Sequence, residues 1–174
     1  MFKHIIQIVV VLSLGIASIE TLSNTSDSSS VNKNVLEIHL EVPDIDAHPY
    51  HKPYIAVWLE TPQREPVTTI ALWAKETDWY KDLRQWWRKL GRDPSVNYDG
   101  VTGATRRPGQ YKIHWDGKDN QGRTITPGPY LLNIEASREE GGRSYVRETI
   151  NLGEKTKVTI PAEQELGSIT IIVE

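Results

Sequence analysis

Leu36-Glu37-Ile38-His39-Leu40-Glu41-Val42 is the stretch whose reading decides the fold. Apolar and polar residues alternate strictly along it, the period of a strand with one face buried and the other in water. Tyr54-Ile55-Ala56-Val57-Trp58-Leu59-Glu60 and residues 67–74 predict two more strands, joined by a hairpin connection over Thr61–Pro66 with prolines towards its ends. Downstream, Tyr111–Trp115, Pro129–Ser137, residues 143–152, Lys157–Ile160 and Ser168–Val173 read as strands. Asp116–Gly122, rich in residues that tolerate left-handed backbone angles, and Glu139-Glu140-Gly141-Gly142 read as turns between them. About eight short strands punctuated by turns predict an antiparallel β-sandwich.

One segment has a different period. Trp79, Leu83, Trp86, Trp87 and Leu90 recur at spacings of three and four, with Asp78 placed as an N-cap and Gly91 as a stop. Lys81, Arg84, Arg88 and Lys89 fall largely off that stripe, so a short amphipathic helix is expected as an insertion on one sheet or at one end. Trp58, Trp73 and Trp115 lie in strands and are expected in the core. Trp86 and Trp87 are neighbours, so on a helix they diverge by ~100° and one is expected to line a surface groove.

The first residues bear on compartment. Residues 1–17 carry Lys3 and His4 ahead of an apolar run too short for a comfortable span, with Gly15 and Ala17 placed for a cut after Ala17. This is expected to be a signal peptide, an uncleaved anchor being the alternative. Residues 18–34, including Ser23-Asn24-Thr25-Ser26-Asp27-Ser28-Ser29-Ser30, are expected to be a flexible polar linker to a domain over 35–174. There are no cysteines, which excludes disulfides, thiolate metal sites and a thiol nucleophile. Net charge is −3, or −4 without residues 1–17, no footprint for nucleic acid or an anionic membrane.

Three resemblances bear on function. Trp115-Asp116-Gly117-Lys118-Asp119, Gly122 and Pro127-Gly128-Pro129-Tyr130 are similar to the Ig-like module of flagellar hook-capping proteins, which implies an Ig-like or fibronectin-like sandwich and nothing about activity. Asp99-Gly100-Val101-Thr102-Gly103-Ala104-Thr105 resembles the acceptor motif of proteins that carry flavin mononucleotide (FMN) covalently, such as subunits of sodium-pumping quinone reductases. That resemblance implies Thr105 as the esterified residue, loaded by a flavin transferase, with Asp99, Thr102, Gly103 and Ala104 as the recognition frame. Small, bendable neighbours suit a hydroxyl that must enter another enzyme's active site. Arg106 and Arg107 follow directly and would pair with a phosphodiester, while Trp86, Trp87 and Trp115 would stack on the flavin ring if close by.

Residues 35–174 as a whole resemble a family of predicted periplasmic proteins classed as domain of unknown function 2271. The resemblance rests on His51-Lys52-Pro53-Tyr54-Ile55-Ala56-Val57-Trp58, Leu83-Arg84-Gln85-Trp86-Trp87-Arg88, Asp99–Thr105, Pro108-Gly109-Gln110-Tyr111 and Trp115-Asp116-Gly117-Lys118-Asp119. It implies a periplasmic electron carrier whose partners are a flavin transferase and a PepSY-type membrane redox protein.

Other chemistry has less behind it. His48 and His51 with Asp44 and Asp46 have spacing that would suit a metal, but a loop leading into a strand is the commoner reading and no metal is expected. His39 and His114 fall on the solvent phase of their strands, and Arg138-Glu139-Glu140 reads as a solvated hairpin tip. No Ser-His-Asp order, paired-carboxylate spacing or phosphate loop is present, so no enzymatic activity is expected. Two readings remain: an FMN-bearing electron carrier acting through Thr105, and a non-enzymatic module gripping a glycan or partner protein through Trp86 and Trp87.

Overall fold

The computed structural model describes residues 36–74 and 76–174. The signal peptide and linker expected over 1–34 lie outside the described residues. Among the described residues nine strands form: β1 Leu36–Val42, β2 Tyr54–Glu60, β3 Pro66–Trp73, β4 Thr102–Gly103, β5 Gly109–Trp115, β6 Gly128–Ser137, β7 Arg143–Leu152, β8 Thr156–Ile160 and β9 Ile169–Val173. They make a four-stranded sheet in the order β5-β1-β9-β8 and a five-stranded sheet in the order β4-β3-β2-β6-β7. Every pairing is antiparallel except β3 with β4. The protein is a β-sandwich, as the alternating stretches predict.

Alternation translates directly into burial. Leu36, Ile38 and Leu40 are fully buried while Glu37, His39 and Glu41 remain half exposed. The inward residues of β1 and β9 meet Ile55, Val57 and Leu59 of β2 and Leu132, Ile134 and Ala136 of β6 in one continuous core. Each fully buried leucine or isoleucine there contributes about 1.5–3 kcal/mol of transfer free energy. Trp73 and Trp115 join this core as expected. The Asp116–Gly122 turn is fastened to β3 by Asn120, whose Oδ1 accepts from the Thr69 backbone N–H and whose Nδ2 donates back to the Thr69 carbonyl.

The five-stranded sheet is covered on its other face too. All seven residues of β2 are buried, which strict alternation would not produce. Tyr54, Ala56 and Trp58 on its outer face form a second cluster with Leu72, Leu83, Trp86 and Tyr98. The cover is the Trp-rich segment, and it is not the single helix that its spacing predicts. It runs as a 3-10 turn over Thr77–Asp82, an α-helical turn over Arg84–Trp86 and a π-helical turn over Trp87–Gly91. Leu83 breaks the helix with φ −77° and ψ 70°. Asp78 sits inside the first turn and does not cap it.

The break has a cause on β6. Glu135, fully buried, accepts from the backbone N–H of Gln85 at 2.9 Å and of Trp86 at 3.0 Å, and from Arg143 Nε at 2.7 Å. Those two amides open the second helical piece and have no partner within it. A buried carboxylate needs donors to offset its desolvation, and restarting the helix at residue 84 supplies them. The same bend drives both Leu83 and Trp86 inward, with Trp86 Nε1 donating to Thr69 Oγ1 at 3.0 Å. We call this segment the elbow.

Candidate functional site

The motif Asp99–Thr105 forms the return from the elbow to the sheet. Tyr98 anchors its start: the ring is buried against Trp86, and the hydroxyl donates to the Leu90 carbonyl at 2.7 Å. The Tyr98 carbonyl accepts from the amides of Val101 and Thr102, closing a tight turn over Asp99-Gly100. The chain then lies beside β3 as β4, with Leu72 N–H donating to the Val101 carbonyl at 2.9 Å and Ala74 N–H to the Gly103 carbonyl at 3.0 Å. This two-residue parallel strand is the element that the sequence reading leaves as loop. Thr-Gly carries no period, and its pairing depends on the elbow bringing it back.

β4 is the edge of its sheet, so the residues that follow emerge into solvent. Asp99, Thr102 and Ala104 are exposed, Gly103 and Thr105 half-buried. The two threonines differ in what their hydroxyls do. Thr102 Oγ1 donates to the Asp99 carbonyl at 3.3 Å, holding the turn. Thr105 makes no side-chain hydrogen bond within the described residues and borders an open recess of about 320 Å³ lined by Ala74, Tyr80 and Thr102–Thr105. Its hydroxyl is reachable, the condition that loading by a second enzyme requires.

The residue after Thr105 is a held cation. Arg106 lies over the Trp73 ring at 5.1 Å and the Tyr111 ring at 5.7 Å, and those two rings meet edge to face at 5.6 Å. Cation–π contact of this kind fixes a guanidinium without neutralising it. A Cβ at Gly103 would come within 3.4 Å of Trp73, so glycine keeps the strand close to this aromatic seat. Arg107 is exposed, and its carbonyl accepts from the Tyr111 hydroxyl at 2.8 Å. Tyr80, which lines the recess, has its phenol held above the usual range by burial and then by the Asp99 charge, so it is a neutral hydroxyl at ordinary pH.

The tryptophans do not gather at Thr105. Trp86 is fully buried between Tyr80 and Tyr98 and has no free face for a flavin or a glycan, which corrects its expected place in either surface. Its backbone N–H is held by Glu135 and its indole N–H by Thr69, which fix the ring inward. Trp87 is half-buried and lines a separate recess with Lys81, Arg84, Arg88, Arg92 and Arg143. Trp115 lines a third, beside Gly100 and Val101. The aromatic that does border Thr105 is Tyr80, which the sequence reading missed. It sits three residues before Leu83, at the same helical spacing as its neighbours, and nothing in that spacing pairs it with a loop some twenty residues further on.

The histidines are dispersed. His48 meets Asp46 at 3.4 Å in full solvent, and His51 faces Glu139 at 3.4 Å and Glu140 at 3.9 Å. Among the described residues no three potential metal ligands come together, and no helix is long and apolar enough to cross a membrane. The chain matches the family described as predicted periplasmic protein (DUF2271) over residues 35–168. No curated protein and no solved structure matches it.

Proposed function

The chain belongs to the DUF2271 family of predicted periplasmic proteins, and from that premise we propose that it is a periplasmic carrier of covalently attached FMN. The observation that carries this reading is the free Thr105 hydroxyl at the rim of an open recess, on the solvent edge of the sheet. Loading by a flavin transferase would form a bond between Thr105 Oγ1 and the FMN phosphorus. It would break the pyrophosphate bond of a flavin adenine dinucleotide and release AMP with the hydroxyl's proton. Gly103 and Ala104 keep the approach open, and the turn at Asp99 with the Thr102 hydrogen bond presents the segment in one shape.

The residues present fit the group. Arg106, seated on Trp73 and Tyr111, would face the phosphodiester with its charge intact, and Arg107 would add a second cation in water. Tyr80 would border the ring and offer a neutral hydrogen-bond donor. Bound flavin would supply reversible electron uptake, and the partner would be a PepSY-type membrane redox protein. The protein's share is tethering and positioning.

The test is direct. Produced with a flavin transferase, the protein should fluoresce on a denaturing gel, and its mass should rise by one FMN less a water. Thr105→Ala should abolish both and Thr102→Ala should leave some loading. A colourless protein of unmodified mass under those conditions ends this reading.

A further inference from the structure

The elbow carries charge that the Thr105 site does not use. Residues 77–92 hold five basic and two acidic side chains, a local charge of +3 in a chain of −3. Trp87 and the cations Lys81, Arg84, Arg88, Arg92 and, from β7, Arg143 line one open recess of about 310 Å³ with no carboxylate in its wall. Crowding like charges is unfavourable unless something negative answers them. Asp82, Glu139 and Glu140 border the adjoining recess, where Arg84 and Arg143 also reach. Among the described residues, only Arg143 of the five cations pairs with a carboxylate buried at the site, Glu135.

The recess is built rather than incidental. Arg143 spends its Nε on Glu135 at 2.7 Å, and the same carboxylate fixes the amides of Gln85 and Trp86, so the wall and the floor share one buried anchor. Arg143 keeps its remaining N–H donors for a ligand. Gln85 Oε1 accepts from Arg88, aligning a second guanidinium. Gly91 lets the indole of Trp87 pack close, since a Cβ there would stand 2.5 Å from its Cε3.

We infer that this recess binds a small anion carried on a flat-faced ring, with Trp87 stacking on the ring and Arg84, Arg88, Arg92 and Arg143 holding its carboxylate or phosphate. Guanidinium forks match both anions, and an indole matches both the face of a sugar and a planar base. The volume lies at the lower end of ligand pockets, room for one or two rings. A protein partner would need a footprint near 1,000 Å², far beyond this recess. Uronic sugars and nucleotides share the required chemistry.

Calorimetric titration of the protein at low salt with a glucuronate disaccharide, AMP and lactose tests the inference and separates the two sources. At least one anion should bind at least tenfold tighter than lactose and weaken as salt rises. Arg84→Gln/Arg92→Gln, both exposed positions, should lose tenfold or more, as should Trp87→Ala, with circular dichroism confirming their folds. Thr105→Ala should bind as the parent does, since this site stands apart from flavin loading. Silence with both anions, equal affinity for lactose, or full affinity in the arginine pair variant overturns the assignment.

Discussion

Ile134 and Glu135 are neighbours on β6, both buried and on opposite faces of one sheet. Ile134 enters the sandwich core among the apolar side chains of both sheets. Glu135 enters the layer beneath the elbow. There Trp58 Nε1 donates to the fully buried Glu60, Asn133 accepts from Tyr145 at 2.6 Å and from Arg147 at 3.1 Å, and Lys89 donates to the Arg64 carbonyl. One face is held by exclusion of water alone, the other by a smaller apolar cluster laced with directional bonds that each have a named partner. The first tolerates rearrangement; the second specifies where the elbow sits, and so where Thr105 and Trp87 sit.

Substitutions can break that contrast. Glu135→Ala should have the largest effect, about 4 kcal/mol in urea melts, because it strands Arg143 and two amides at once. The elbow should loosen first, so proteolysis within 77–92 should precede loss of the sheet signal. Ile134→Ala should cost about 3 kcal/mol and lower the midpoint of a single cooperative transition without selective cleavage of the elbow. If the two variants melt alike and are cut alike, the elbow is an inseparable part of the core and the contrast fails.

Two smaller effects sharpen it. Burial pushes Tyr54 and Tyr98, both on the elbow side, up to about 12. Their phenols stay neutral in the folded protein while an unfolded chain ionises them near 10, so stability is unchanged below pH 10 and falls as pH rises from 10 towards 12. The loss should be about 2 kcal/mol for each phenol in melts across that window, and Tyr98→Phe should flatten its share. At neutral pH, Tyr98→Phe should cost about 1 kcal/mol for the bond to the Leu90 carbonyl. It should also slow flavin loading at Thr105 by loosening the turn, read as the fraction modified by intact mass.

The inner face was legible because burial on one side of a strand writes itself as a period of two. Leu36 to Val42 and Ile169 to Val173 needed nothing else. The outer face hid because β2 is covered on both sides, so Tyr54 to Glu60 has no period to read, and its Glu60 looks like a strand end. The elbow's apolar spacing marked it as helical, yet the interruption at Leu83 follows from a carboxylate fifty-two residues later, which local pattern cannot carry. At the candidate site the motif named Thr105 and its frame, whereas Tyr80, Trp73 and Tyr111 reached it only through tertiary packing. Adjacent tryptophans announced that one would be hidden, without saying which.

The pairing of β1 has a consequence for export. Leu36 lies opposite Trp115 on one side and Val173 on the other. A chain threaded through a membrane from its N-terminal side therefore delivers its first strand long before either neighbour arrives. That strand pairs first with β5 and only later with β9, and contacts so distant along the chain close slowly. The sheet built on β1 is therefore completed only when β9 joins it, late in folding.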